Sequence, residues 1–186
     1  METRLKIMMI AFTILLSFTS CNAKTKNTET EISDHSSMNV AQEVSQLKAV
    51  FDNYFMLKDA LVKSDGKKAA AMAKDLSSSL NGVKMETLKT EEHLVWMKVM
   101  KELKEDAGRI SETEDIKRQR DYFSRLSKNM YSLIKVSKLA EPVYYNNCPM
   151  VNGGKGANWL SKESAIKNPY YGSQMLSCGK TIEKIQ

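Results

Sequence analysis

The stretch LKAVFDNYFMLKDAL, Leu47 to Leu61, decides how this chain folds. Leu47, Val50, Tyr54, Leu57 and Leu61 recur at spacings of three and four, and Phe51 and Phe55 widen the same face. That period makes one side of an α-helix apolar and leaves the other polar. Such a helix must bury its apolar side against a partner. The same signature is therefore sought along the rest of the chain.

It recurs three times. Ser64-Asp65-Gly66 ends the first helix and can cap a second, whose face carries Ala69, Ala73, Leu76, Leu80 and Val83 up to Asn81-Gly82. A third opens at Thr90-Glu91-Glu92, with acids where the helix dipole favours them. Leu94, Met97, Met100, Leu103 and Ala107 predict its core face, and Gly108 its stop. A fourth is predicted from Ser111, with Glu114 three residues on as a capping box, and Ile116, Phe123, Leu126, Met130 and Leu133 facing inward. Four amphipathic helices on short polar turns predict an all-α fold, an antiparallel four-helix bundle over residues 40–138.

Beyond Ala140 the helical period disappears. All three prolines lie there, with five of the eight glycines, four of the seven tyrosines and two of the three cysteines. Pro142 marks the boundary, because proline cannot continue a helix interior. Residues 139–186 read as an ordered, loop-rich cap of the same domain, with short strands expected at Val143–Tyr145 and Thr181–Ile185.

The N-terminus reads as an address. Arg4 and Lys6 precede a short apolar run, Ile7 to Phe18, which is too short for a span and is followed by Thr19-Ser20-Cys21. A basic start, an apolar segment and small residues before a cysteine resemble a bacterial lipoprotein signal. The expectation is a signal peptide over 1–20 and a lipid on Cys21. A flexible tether would then occupy 21–39, holding the domain at the periplasmic face of the envelope, on the outer membrane. His35 and Met38, on that tether, read as solvent-exposed.

In the cap, Tyr-Tyr-x-x-Cys-Pro-Met (144–150), Gly-Ala-x-Trp-Leu-Ser (156–161), Asn-Pro-Tyr-Tyr-Gly (168–172) and Met-Leu-x-Cys-Gly (175–179) resemble a domain of unknown function, DUF3347. That domain occurs alone in exported bacterial proteins and fused to periplasmic adaptor subunits of heavy-metal efflux systems. The resemblance implies a link to copper or silver handling and to efflux components as partners. It carries no established activity.

Cys148, Met150, Met175 and Cys178 supply two thiols and two thioethers, donors that suit Cu(I) or Ag(I). In an oxidising compartment Cys148 and Cys178 are an obvious disulfide, which comes ahead of the metal site, with free thiols last. The competing expectation is a metal-free interaction module, whose disulfide-stapled cap presents Tyr144, Tyr145, Trp159, Tyr170 and Tyr171 to an envelope partner.

Other classes have little support. The net charge of +6 is spread along helices and mixed with acids, so no nucleic-acid partner is expected. Di-metal bundle motifs pairing Glu with a His three residues on are missing, and His93 is a lone helical histidine. Met97, Met100 and Met130 read as core filler. Gly153-Gly154-Lys155-Gly156 lacks the spacing of a phosphate loop and reads as a turn. No enzyme is expected, since neither cysteine has a nearby histidine to serve as base.

Overall fold

The computed structural model describes residues 36–186, with side chains from Leu47 onward. The predicted signal over 1–20, Cys21, His35 and most of the tether lie outside the described residues. Four helices follow one another: α1 (Ser36–Val62), α2 (Gly66–Gly82), α3 (Thr90–Ser111) and α4 (Ile116–Val136). The helix thus reaches back into the last residues assigned to the tether, Met38 included. Three strands complete the domain: β1 (Val143–Cys148), β2 (Ala157–Ser161) and β3 (Lys180–Ile185). Among the described residues no helix is long and apolar enough to cross a membrane.

The deciding stretch behaves as read, with Leu47, Val50, Phe51, Tyr54, Phe55, Leu57 and Leu61 all buried. Asp65 caps α2, its carboxylate accepting the Lys68 amide at 2.9 Å, a contact of about 1 kcal/mol. Consecutive helices pack on one another, α1 on α2, α2 on α3 and α3 on α4. Gly66 permits the close approach at the α2 start: a Cβ there would lie 2.1 Å from the Glu114 carbonyl oxygen. Buried Gln119 stitches that corner, donating to the carbonyls of Gly66 (2.8 Å) and Thr113 (2.6 Å).

Two helical readings need correction. In α3 the inward face is Trp96, Val99, Leu103, Ala107 and Ile110, with Glu92 and Asp106 in the same stripe. Leu94 and Met97 are exposed, and Met100 is only partly covered. Two buried acids displaced the apparent apolar face. Asp106 is tolerated because Arg125 of α4 grips it with Nε and Nη2 of its guanidinium. The α3 helix also runs past Gly108 to Ser111, so α4 is capped by Asp115, whose Oδ1 accepts the amides of Lys117 (2.9 Å) and Arg118 (3.3 Å).

The cap is a three-stranded antiparallel sheet in the order β2-β1-β3. The fold is therefore mostly helical with a small sheet. Two strands lie where they were expected, and β2 is an addition. The sheet is bound to the helices through aromatics. The Tyr54 hydroxyl sits 2.8 Å from the Ser127 hydroxyl and accepts the Leu160 amide at 3.1 Å, joining α1, α4 and β2. Tyr131 stacks on Tyr145 with centroids 3.9 Å apart. The Tyr170 ring packs between Phe123 and Trp159. Arg120 donates to the carbonyls of Pro169 (2.8 Å) and Leu61 (3.1 Å), tying the cap to the α1–α2 corner.

Candidate functional site

The site is built from the end of β1 inward. Cys148 is the last residue of the central strand, opposite Ala157 of β2, and is fully buried. The chain then turns through Pro149–Gly156, where Asn152, Gly153, Gly154 and Gly156 all adopt positive φ. This confirms the glycine run as a hairpin turn. Cys178 arrives from the far side, on the turn before β3, and is partly exposed. Its sulfur lies 3.4 Å from that of Cys148.

Two residues bring Cys178 there. Gly179 (φ +145) runs so close to the sheet that a Cβ would lie 2.9 Å from the Asn147 carbonyl oxygen. Asn168, fully buried, donates from Nδ2 to the Cys178 carbonyl at 2.7 Å, while its Oδ1 accepts the Tyr170 amide at 2.8 Å. Its backbone amide also donates to Leu176 at 2.8 Å. Asn168 thus holds the Cys178 turn with its side chain and its main chain. The sequence offered a signal, since asparagine before Pro-Tyr-Tyr favours a side-chain-bonded turn, but reading it gave Asn168 no role.

The electrostatics favour the protonated form of Cys178. The neighbouring Cys148 sulfur, partial burial and the cost of a second charge beside it push the Cys178 thiol above its ordinary range. A nucleophilic cysteine needs the opposite shift. The pair therefore suits a reaction in which something removes both protons together, a soft cation or a two-electron oxidant.

The thioethers are partly placed. Met150 follows Cys148 by two residues and is exposed, its carbonyl accepting the Tyr171 hydroxyl at 3.0 Å. Met175 is also exposed, and its carbonyl accepts the Cys178 amide at 3.0 Å in one tight turn. Among the described residues, no three His, Cys, Asp or Glu side chains converge in a group able to hold a metal ion. What the cap brings together is two thiols, with two methionines on the turns that carry them.

The aromatic reading needs correction. Tyr145, Trp159 and Tyr170 are buried in the joint between sheet and helices, so they anchor the cap and face no partner. Aromatics that pin a small sheet to helices look the same in sequence as aromatics that greet a ligand. Only Tyr144 and Tyr171 keep part of their surface open.

With this geometry in hand, residues 50–141 match the family described as protein of unknown function DUF3347. Over these residues, just under half of the chain, the sequence is similar to DUF3347. The match runs from within α1 through α4 and ends before β1, so it stops short of the cap motifs that carried the resemblance. No curated protein and no solved structure matches the chain.

Proposed function

We propose that this protein binds a single soft monovalent cation, Cu(I) or Ag(I), between Cys148 and Cys178, and buffers it or passes it to heavy-metal efflux components. The observation that carries the reading is the 3.4 Å approach of the two sulfurs. Two thiols give up two protons to take one ion, and two thiolates supply the charge that neutral thioethers lack. Met150 or Met175 would complete the site and add selectivity. The export signal and the lipid on Cys21 belong to this proposal, as does the envelope location. So does the arrangement of the four helices as an antiparallel bundle, which the packing of each helix on the next supports. The protein is read as a binding protein and not an enzyme.

A second reading rests on the same pair. An oxidant that removes two electrons and two protons would join Cys148 to Cys178, stapling the cap and closing the site to metal. Tyr144, Tyr171 and the exposed Met150, Met175 and Leu176 would then form an interaction surface. Competition for Cu(I) against a chromogenic chelator under reducing conditions separates the two. Stoichiometric uptake by the wild type, lost in the double Cys148→Ser, Cys178→Ser variant, supports the metal site. Equal copper retention by both proteins removes it.

A further inference from the structure

A cavity of about 320 Å³ lies at the other end of β1, between the α1 face and the link from α4 to the sheet. Its floor is apolar, with Leu47, Phe51, Phe55, Leu139 and Val143 among its lining. The volume is room for about ten non-hydrogen atoms at condensed-phase packing. Glu92 also lines it and is only 5% exposed. It sits in the first turn of α3, where the helix terminus favours negative charge. One carboxylate oxygen accepts the Lys89 amide at 3.4 Å. The ion pairs of Lys48 and Lys162, two of the lysines that line the cavity, go to Asp52 and not to Glu92.

The lysines around the cavity do not neutralise it. Lys48 and Lys162 both reach Asp52, at 2.5 and 2.6 Å, with their side chains largely in water. Lys48 also feels Glu141, another lining residue. Lys138, on the α4–β1 link, is exposed. The rim thus sets three lysines against Asp52 and Glu141, all at least partly in water, while the buried acid is Glu92. The Lys162 ammonium already lies 5.0 Å from the centre of the Phe55 ring, so the aromatic wall accepts a cation.

We propose that this cavity binds a small organic monocation, an aromatic or aliphatic body carrying one ammonium group that reaches Glu92. A carboxyl group buried without a counter-ion is a ready partner for a ligand cation where water is excluded. The apolar floor takes the body and selects against inorganic ions. The site shares no residue with the thiol pair and goes beyond the reading given above.

Calorimetric titration of the full chain with benzyltrimethylammonium tests it, with 3-phenylpropionate as an anion of equal size. The ammonium should bind, with amide shifts at Leu47, Phe51 and Val143, and phenylpropionate should not. Glu92→Gln should weaken binding at least tenfold, Phe51→Leu should weaken it less, and the double cysteine variant should bind as the wild type does. Absence of ammonium binding overturns the proposal. So does equal binding of the anion, or a folded Glu92→Gln variant that binds unchanged. If Glu92→Gln does not fold, the comparison of the two ligands on the wild type decides alone.

Discussion

A Cβ on residue 179 would lie 2.8 Å from the Cη2 atom of Trp159. Gly179 and Trp159 therefore fix how near the turn before β3 can come to the sheet, and with it where the Cys178 sulfur stands. Gly179→Ala should push that turn outward and force an L-residue into φ +145, at a cost of roughly 1–3 kcal/mol. The cost should appear as a lower melting temperature. The rate of Cys148–Cys178 crosslinking by oxidised glutathione should also fall. A variant that melts lower but crosslinks at the wild-type rate would separate stability from sulfur placement.

Tyr54→Phe removes the hydroxyl that accepts the Leu160 amide and meets Ser127. Both partners are buried, so roughly 1–3 kcal/mol should be lost. Equilibrium urea unfolding measures it, with the loss in the midpoint and the slope unchanged.

The Asp106–Arg125 pair should be asymmetric. Asp106 is fully buried while the Arg125 side chain is half exposed. Arg125→Gln strands a buried carboxylate, whereas Asp106→Asn leaves a guanidinium that water can solvate. Thermal melts at pH 7 should rank Arg125→Gln as the more damaging. The pH dependence follows in sign. Burial raises the Asp106 carboxyl against the opposing pull of Arg125. A raised group favours the folded state below its unfolded value and loses that contribution as pH rises through the folded one. Asp106→Asn should flatten stability across this acid window, and an unchanged profile would count against the burial argument.

The thiols carry their own pH dependence. Cys178 is raised chiefly by its hydrogen bond to Cys148, then by burial. Iodoacetamide should modify Cys178 more slowly than an unstructured peptide cysteine near pH 8, and the gap should close as pH climbs past the raised value. In Cys148→Ser the reaction should speed up. Faster modification in the wild type than in the peptide would contradict a raised Cys178 thiol.

The helices were legible because amphipathic period survives in any context that buries one face. The α3 face was not, because Glu92 and Asp106 occupy core positions while Leu94 and Met97 take exposed ones. Apolar counting fails where an acid is buried, ion-paired as Asp106 is or held at a helix start as Glu92 is. Strand β2 was missed for a different reason: Trp159, Leu160 and Ser161 are buried consecutively, so alternation vanishes. The two cysteines were visible as chemistry, but their meeting depends on the β1–β3 register, the Gly179 approach and the Asn168 clamp. Each of these joins residues far apart in sequence, beyond the reach of local pattern.

The central claim is that Cys148 and Cys178 together hold one soft cation. Copper K-edge absorption on the reduced, Cu(I)-loaded chain tests it most directly. The account predicts a first shell of sulfur alone, from two thiolates and at most one thioether, with Met150→Leu or Met175→Leu removing only the third scatterer. A shell of nitrogen or oxygen, or a sulfur shell that persists in the Cys148→Ser, Cys178→Ser variant, would contradict it.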